Sequence, residues 1–309
     1  MKAAVTGAFG YSGRYITQRL LEAGHGVMTL TNSTERQNPF GERVRAVPFH
    51  FDQPGRLAES LAGTDVLINT YWVRFNHRQF THEQAVKNSR ALFQAAKAAG
   101  VRRIVHVSIT NPDIDSDLSY FRGKAEVEAA LQGTGVSHCI LRPAVLFGKE
   151  DILINNIAWS LRHLPVVGVF GRGDYKLQPI CVDDLAGAAV AKAAGNTNEV
   201  VNAIGPETFT YRELVETIKN RLGLKRPVVG VPSSLGYLGC RLLGLLMRDV
   251  LITWEEVRGL MENRLCVDAP PLGATKLSRW IEEHRENLGR HYTSEMARRL
   301  DRRSAYRSN

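Results

Sequence analysis

Residues 1–14, MKAAVTGAFGYSGR, place Gly7, Gly10 and Gly13 directly after a short apolar run. The stretch that follows, residues 14–22, has its apolar residues on one face of a helix. This order predicts a strand, a glycine-rich turn and a helix. Such a turn lets backbone N–H groups approach a pyrophosphate, and the helix N-terminus adds partial positive charge. We expect a dinucleotide site here, with a ligand-free structural turn as the alternative.

Each glycine has its own expected role in this loop. Gly7 fits the sharp turn, Gly10 the close approach of the ligand, and Gly13 the close packing of helix on strand. The residues of the loop expected to contact the cofactor are Gly7, Phe9, Gly10, Tyr11, Ser12 and Gly13.

Strand-like and helix-like segments alternate over the following two hundred residues. The nearly unbroken apolar run at 65–70 is typical of a parallel strand covered on both faces. We therefore predict an α/β fold, a doubly wound parallel Rossmann sheet with a small, mainly helical C-terminal region. The further strands are predicted at 26–31, 44–52, 102–108, 136–147 and 199–204, and helices at 55–62, 81–99, 150–164 and 184–194.

The character of the sequence changes after Gly148. We expect residues 1–150 to form an NAD(P)-binding domain and residues 151–309 a smaller substrate region. In that region Thr210 and Glu213 predict a capping box at the start of a helix over 210–222. Asp183 is expected to cap the helix at 184–194.

A second motif, Tyr120-x-x-x-Lys124, follows a predicted strand that ends at Ser108. Together with the glycine spacing, it resembles the extended and atypical short-chain dehydrogenase/reductases. The similarity is to the branch that includes NmrA-like proteins, the NADPH-binding accessory subunit of respiratory complex I and the NAD(P)-dependent epimerase/dehydratases. It extends over about residues 1–205, and implies that residues near 176–205 return to the Rossmann domain.

The Tyr and Lys residues of this motif share one helix face. A tyrosine with its ordinary pKa of about 10 is a poor base at neutral pH, and a nearby ammonium lowers that pKa. Tyr120 could then exchange a proton with a carbonyl or alcohol oxygen that Ser108 positions. The alternative is that Tyr120 packs and Lys124 is solvated. The resemblance also implies that Asn88 supports the lysine, against the alternative of a surface asparagine.

The end of the second predicted strand bears on cofactor choice. An acidic residue there selects NAD, but this chain has Thr31, Asn32 and Ser33, with Arg36 shortly after. Neutral hydroxyls and an arginine suit a 2′-phosphate, so we favour NADP(H), with NAD(H) as the alternative. Arg36 in a mobile loop that touches nothing is the opposing interpretation.

Five further residues complete the expected cofactor site, and Lys124 can also bond the nicotinamide ribose. Thr70 and Tyr71 follow a strand at the edge where ligands bind, and Trp72 walls the nicotinamide or packs in the core. The resemblance implies that Asp52 bonds the adenine amino group, with helix capping as the alternative. It also implies that the backbone at Pro143 contacts the nicotinamide amide.

These features predict an NAD(P)-dependent oxidoreductase that acts on a carbonyl/alcohol pair. The alternatives are a non-catalytic NAD(P)H-binding redox sensor or assembly protein, or a sugar-nucleotide epimerase/dehydratase for which Arg162 and Arg172 could hold a diphosphate. We also expect a homodimer through residues 81–99 and 124–132, as the resemblance implies.

Composition narrows the classes of partner. The net charge of +9 is concentrated in residues 298–309, which have five Arg and one Asp. We expect a solvated terminal segment rather than nucleic-acid binding, because no aromatic residues interleave a basic patch. Four widely spaced cysteines predict a reducing cytoplasm and no metal site. Lys2 leads straight into a strand, so we predict no signal peptide.

Residues 235–252 are the most apolar segment, interrupted by Arg241, Arg248 and Asp249. These charges make a bilayer span costly. We favour a buried helix that walls a pocket for a hydrophobic small-molecule substrate. The less favoured alternative is a helix for peripheral membrane contact or partner docking.

Overall fold

The computed structural model describes residues 1–77 and 80–301, so the last eight residues of the basic C-terminal segment lie outside the described residues. The described strands are β1 (Lys2–Thr6), β2 (Gly26–Leu30), β3 (Val44–Val47), β4 (Val66–Asn69), β5 (Arg103–Val107), β6 (Ser137–Pro143), β7 (Val145–Phe147), β8 (Val167–Phe170), β9 (Lys176–Leu177), β10 (Pro179–Cys181), β11 (Glu199–Ala203), β12 (Phe209–Thr210) and β13 (Val228–Val231). The described α-helices are α1 (Tyr11–Glu22), α2 (Pro54–Ser60), α3 (His82–Ala98), α4 (Ser119–Gln132), α5 (Leu153–His163), α6 (Val182–Ala193), α7 (Tyr211–Arg221), α8 (Ser233–Met247), α9 (Trp254–Met261), α10 (Leu277–Glu283) and α11 (Glu295–Leu300).

Seven parallel strands form the central sheet, in the order β11-β6-β5-β4-β1-β2-β3. Helix α1 packs against α6, and α3 packs against both α2 and α4. The predicted doubly wound parallel sheet is confirmed. Because the chain moves one way from β1 to β3 and the other way from β4, a crevice opens between β1 and β4 at their carboxyl ends.

Apolar side chains explain why these strands are central. Every residue of β4 and β5 is buried, as expected for strands covered on both faces. One core cluster joins the sheet to α2, α3 and α4 through fully buried residues that include Leu57, Leu67, Phe93, Ile104 and Ile140. The sheet is therefore a rigid base for the loops at its carboxyl edge.

Contacts divide the chain into two compact units. The first comprises residues 1–143 and 182–203, and the second residues 144–181 together with the described residues from 204 onward. The chain thus leaves the first unit directly after β6 and re-enters it with α6.

The second unit has a core of its own and three short two-stranded sheets, β10-β7, β12-β9 and β13-β8. Its buried residues come from α5, α7 and α10, and include Ile154, Leu161, Leu214, Ile218 and Trp280. Helix α7 begins with the predicted capping box: Thr210 accepts from the Glu213 N–H, and the Glu213 carboxylate accepts from the Thr210 N–H. That prediction is confirmed.

Three local predictions need correction. Strand β3 ends at Val47, well before the predicted residue 52. The strand predicted over 136–147 breaks into β6 and β7 at Ala144, where one unit ends and the other begins. Asp183 lies inside the first turn of α6 and pairs with Arg19 of α1, so it does not precede the helix as a cap.

The prediction of a buried helix at 235–252 is wrong. Helix α8 lies there, but its leucines at 235, 238, 242, 245 and 246 are 52–80% exposed. Only Gly244 is buried within the helix. The expectation of an apolar pocket wall, and with it the argument for a hydrophobic substrate, loses its basis. Among the described residues, no helix combines the length and apolar character that a membrane span requires.

Arg103, the first residue of β5, and Arg102 just before it offer a stability test of the first unit. Arg103 is buried and donates to the carbonyls of Lys192 and Thr197 and to the Ser137 hydroxyl. Arg103→Ala should lower the free energy of unfolding by about 3 kcal/mol, because it removes three hydrogen bonds from a charged donor to partly buried acceptors. Chemical denaturation measures this change.

The matched control is Arg102→Ala, since the Arg102 side chain is 71% exposed where it pairs with Asp65. Its loss should cost under about 1 kcal/mol. If the two substitutions lowered the free energy of unfolding equally, the stabilising role of the Arg103 hydrogen bonds would be contradicted.

Candidate functional site

The glycine loop joins β1 to α1 at the crevice of the sheet. The Gly7 N–H donates to the carbonyl of Leu30 at 3.0 Å, and the Gly10 N–H to the carbonyl of Gly7 at 2.8 Å. Gly7 has a φ of +68°, in the left-handed region that favours glycine. These bonds fold the loop tightly over the ends of β1 and β2.

Space within the loop fits only glycine at its last position. A Cβ on Gly13 would lie 2.2 Å from the carbonyl oxygen of Gly7, and a Cβ on Gly10 would lie 3.1 Å from the same atom. Gly10 is the N-cap of α1, and no side chain caps that end. Its first N–H groups thus remain available to an anion, which is the arrangement that a pyrophosphate requires.

Phe9, Tyr11 and Ser12 of the loop also lie at the start of α1. Phe9 is buried, and Tyr11 and Ser12 are half-buried. The loop residues of the predicted cofactor site are therefore all together at one helix N-terminus.

A buried polar network ties the loop to the neighbouring strands. The Thr6 hydroxyl donates to Asn69 Oδ1, the Thr70 N–H donates to the Thr6 hydroxyl, and the Thr70 hydroxyl donates to the Thr6 carbonyl. The Tyr71 N–H also donates to Asn69 Oδ1, which fixes the orientation of that amide. Asn69 Nδ2 then faces His106 Nδ1 at 3.1 Å. The carboxyl ends of β1, β4 and β5 are held in one register.

The predicted 2′-phosphate residues lie in a structured turn after β2. The Thr31 hydroxyl accepts from the Ser33 N–H, and the Ser33 carbonyl accepts from the Arg36 N–H. Arg36 is only 8% exposed, so the interpretation as a mobile arginine that touches nothing is wrong. Asn32 is exposed at the same turn.

Two other predicted cofactor residues, Asp52 and Pro143, lie just before α2 and at the end of β6. Asp52 is exposed, and Gln53 is the N-cap of α2, so the alternative that Asp52 caps this helix is wrong. Pro143 is the last residue of β6, and its carbonyl accepts from the Thr110 N–H at 2.9 Å.

Ser108 and Lys124 meet at the end of β5. The Lys124 Nζ donates to the carbonyl of Val107 at 3.0 Å, one residue before Ser108. The Ser108 hydroxyl is buried and has no hydrogen-bond partner among the described residues. A buried hydroxyl without a partner is the group expected of a site completed by a ligand.

Tyr120 lies one turn before Lys124 in α4, and Trp72 contacts both residues. The Lys124 Nζ lies 4.6 Å from the centre of a Trp72 ring, and the Tyr120 ring meets Trp72 edge-on at 5.8 Å. His82 stacks on Trp72 at 5.6 Å and meets the Tyr120 ring edge-on at 5.4 Å. The structure therefore brings Tyr120 and Lys124 together around one indole, and Lys124 also reaches the end of β5 next to Ser108.

The described hydrogen bonds of Asn88 do not involve Ser108, Tyr120 or Lys124. It donates to the Tyr71 hydroxyl at 2.6 Å and accepts from Gln84 at 2.7 Å. Its described partner at the crevice is thus the expected cofactor residue Tyr71, whose ring also packs on Phe49 and Phe51.

Burial governs the titration of the site. Lys124 is 2% exposed, and desolvation lowers its pKa to about 7, although the charge of Glu128 acts in the opposite direction. The pKa of His106 is lowered well below its ordinary value by burial and, secondarily, by the charge of Lys124. Burial raises the pKa of Tyr71 well above 10, against the bond from Asn88.

Sequence reasoning missed Thr6, Asn69 and His106 as parts of the site. Asn69 was visible as the polar residue that ends an otherwise apolar run, and His106 as a polar residue within a buried strand. Only the pairing of β1, β4 and β5 shows that these side chains meet.

Comparisons with known proteins agree with this geometry. A family model described as NAD(P)H-binding matches residues 7–156, which include the glycine loop, Ser108, Tyr120 and Lys124. A reductase of Streptomyces griseus that acts on (4-alkanoyl-5-oxo-2,5-dihydrofuran-3-yl)methyl phosphate is 30% identical over 229 residues, covering 71% of this chain and 73% of the reductase. The chain belongs to this NAD(P)H-binding family. Its resemblance to the extended and atypical short-chain dehydrogenase/reductases is confirmed, as is the prediction of an NAD(P) cofactor.

Other curated relatives are subunits of larger assemblies. The Arabidopsis thaliana mitochondrial NADH dehydrogenase (ubiquinone) 1 alpha subcomplex subunit 9 is 29% identical over 229 residues, covering 69% of this chain and 56% of that subunit. The 40 kDa subunit of Neurospora crassa NADH-ubiquinone oxidoreductase is 28% identical over 242 residues, covering 75% of this chain and 63% of the subunit. The chain thus spans little more than half the length of these two subunits. Protein partners of this kind were not among the sequence-based predictions.

Solved structures confirm the fold. The structure of triphenylmethane reductase of a Citrobacter species, in complex with NADP(H), aligns with a TM-score of 0.73 and 17% identity. The alignment covers 92% of this chain and 99% of the reductase. An NADPH-dependent quinone oxidoreductase of Escherichia coli, in complex with NADPH, has a TM-score of 0.72 at 21% identity and covers 91% and 99%.

The buried lysine makes a prediction about pH. Because its folded-state pKa of about 7 lies below the ordinary value, the unfolded chain binds more protons between pH 7 and about pH 10. The contribution of Lys124 to stability should therefore rise with pH across this window and be least favourable below pH 7. The free energy of unfolding of the wild type, relative to Lys124→Met, should increase by about 2 kcal/mol from pH 7 to pH 9.

Urea denaturation at the two pH values measures this difference. Lys97→Met, at an exposed position of α3, controls for general effects of removing a lysine. The free energy of unfolding of the wild type relative to Lys97→Met should be the same at both pH values. If the free energies of unfolding of the wild type and of Lys124→Met changed equally between the two pH values, Lys124 would not be buried as an amine.

Proposed function

We propose that this protein is an NAD(P)H-dependent oxidoreductase that reduces or oxidises a carbonyl/alcohol pair. The observation that carries the proposal is the buried Lys124 Nζ at the carbonyl of Val107, beside the unpartnered hydroxyl of Ser108. A structural lysine gains nothing from burial next to such a hydroxyl, because desolvation disfavours its charge. A reacting oxygen would give the Ser108 hydroxyl a partner.

When bound, the nicotinamide supplies or accepts the hydride. The Ser108 hydroxyl donates to the substrate oxygen and holds it in place. The Tyr120 hydroxyl passes its proton to that oxygen as an alcohol forms, or takes the proton in the reverse direction. The Lys124 ammonium stabilises the tyrosinate that results.

Lys124 is well suited to this role because its protonation responds to its surroundings. A negative charge on Tyr120, or on a bound cofactor, raises the pKa of Lys124 towards its ordinary value. Trp72 keeps the Nζ in position by cation–π attraction, at 4.6 Å. The ammonium form of Lys124, which takes its proton from solvent, is therefore favoured once the cofactor is bound, before the tyrosine gives its own proton to the substrate oxygen.

We also propose that NADP(H) is preferred to NAD(H), through the turn that follows β2. Ser33 and Arg36 are joined by a backbone hydrogen bond there, and Thr31, Asn32 and Ser33 at the end of the strand are neutral. The one carboxylate between residues 31 and 36, that of Glu35, is exposed. Arg36→Ala should raise the Kd for NADPH about tenfold and change the Kd for NADH less than about twofold. Quenching or enhancement of cofactor fluorescence measures both constants.

Arg43→Ala, at an exposed site of the segment between β2 and β3, is the matched control and should alter neither constant. An equal loss of affinity for both cofactors in Arg36→Ala, with an unchanged melting temperature, would contradict the 2′-phosphate assignment.

The second candidate function is a non-catalytic NAD(P)H-binding subunit or sensor. What favours it is the similarity to subunits of NADH-ubiquinone oxidoreductase across 69–75% of this chain. In that case the glycine loop binds cofactor while Tyr120 and Lys124 serve only packing. Substitution at Tyr120 separates the two candidates.

Tyr120→Phe should lower NADPH-dependent turnover 10²- to 10⁴-fold, because it removes the proton donor. The Kd for NADPH should stay within about twofold, since the glycine loop is untouched. Turnover is measured by NADPH absorbance against a panel of aldehydes, ketones and quinones. Tyr237→Phe makes the same chemical change in α8 of the second unit and should keep full activity.

Two results would count against the enzymatic proposal. Persistent turnover in Tyr120→Phe would mean that another group handles the proton. A wild-type protein that binds NADPH but reduces no member of the panel would favour the non-catalytic subunit.

A further inference from the structure

Helix α8 presents an unusual apolar surface in the second unit. Leu235, Leu238, Leu242, Leu245 and Leu246 follow one another at helical spacing and are 52–80% exposed. We call this set of five leucines the leucine face. Contiguous exposed apolar surface of this kind marks an interaction site more often than scattered single residues do.

The opposite side of α8 already has its packing partners. A Cβ on Gly236 would lie 2.9 Å from the ring of Phe170, and a Cβ on Gly244 would lie 2.7 Å from the carbonyl oxygen of Asp249. Tyr237 and Cys240 pack against the cluster of Phe170, Tyr175 and Val257. The small and aromatic residues therefore anchor the helix, and the leucines have no part in that contact.

Further exposed apolar residues flank the first turns of α8. Trp254 is 43% exposed, with its ring 5.4 Å from that of Tyr237. Met261 is 45% exposed, and its Sδ lies 3.2 Å from the Ser233 hydroxyl. An exposed tryptophan beside an apolar helix is typical of proteins that enter the headgroup region of a bilayer.

The segment of chain that carries the leucine face has charges of one sign, whereas α9, which packs against α8, has Glu255 and Glu256 and has Glu262 as its C-cap. Residues 217–248 contain six Lys or Arg residues and no Asp or Glu. Arg241 in α8 and Arg248 at its C-cap are exposed, as are Lys225 and Arg226 before β13. Asp249, which ends this stretch, is buried and accepts from the Tyr292 hydroxyl at 2.6 Å. A leucine face within a wholly cationic segment complements an anionic lipid surface.

We propose that α8 binds the surface of anionic membranes, with the leucine face in the headgroup and acyl boundary and the arginines at the lipid phosphates. Its 15 residues rise about 22 Å, which is less than the roughly 30 Å hydrocarbon core. The helix therefore lies along the surface. This inference is independent of the proposed catalytic chemistry, since all its residues belong to the second unit.

Cosedimentation of the full chain with lipid vesicles tests the proposal. The protein should bind vesicles of phosphatidylcholine and phosphatidylglycerol at least tenfold more tightly than vesicles of phosphatidylcholine alone, and high salt should weaken this binding. The double variant Leu242→Glu/Leu246→Glu should bind at least tenfold less tightly. Arg241→Gln should weaken binding to the anionic vesicles about fivefold.

Ile114→Glu is the control for a glutamate placed elsewhere, since it adds one carboxylate, where the double variant adds two, at a position of the first unit that is 52% exposed. It should bind vesicles like the wild type. The affinity for NADPH and the melting temperature of each variant show that its fold is intact.

Three outcomes would overturn the proposal. The wild type could fail to sediment with anionic vesicles, or the double variant could bind as tightly as the wild type. Light scattering could instead show a wild-type dimer that the double variant dissociates, in which case the leucine face is an interface between two copies of this chain.

Discussion

The close approach of Gly13 to the carbonyl of Gly7 is the constraint on which the cofactor site depends. A side chain at Gly13 would come within 2.2 Å of that oxygen, so the first turn of α1 can lie against the end of β1 only with glycine there. The approach brings the uncapped helix N-terminus to the crevice between β1 and β4. Thr70, which follows β4, then forms hydrogen bonds with Thr6, the last residue of β1 before the loop.

The site combines two opposing electrostatic demands. Phosphates are attracted by open N–H groups at one end of the crevice, while burial at the other end drives Lys124 towards its neutral form. The neutral buried histidine at position 106 adds to the low polarity around that lysine. A lysine held near its neutral form can respond to charge that develops nearby, whereas a fully solvated one would respond little.

Much of the first unit could be predicted from the sequence, because local patterns determine it. The glycine spacing, the apolar run of β4 and the alternation of strands and helices each depend on neighbouring residues. Ser108, Tyr120 and Lys124 could be named from the chain, but the common contact of Tyr120 and Lys124 with Trp72 depends on the packing of α4. The polar network of Thr6, Asn69 and His106 joins three strands and has no local pattern.

The error at α8 has a definite physical cause. Gly236 and Gly244 pack closely against the protein on one side of the helix, and the exposed leucines lie on the other. Total hydrophobicity of a segment says that it avoids water in some context; it does not say which face meets the protein. The positions of Gly236 and Gly244 around the helix axis predict the packed face better.

The edge strand β11 bears on how the protein forms during synthesis. It pairs with β6, and Arg103 of β5 bonds to the carbonyls on either side of the turn before β11. Between β6 and the helix that leads to β11, however, the chain runs through residues 144–181 of the other unit. On the ribosome, where folding proceeds from the N-terminus, the NAD(P)H-binding sheet must therefore wait with β6 as an open edge. An open edge of this kind is a site for pairing with other chains until residue 203 has emerged and β11 can cover it.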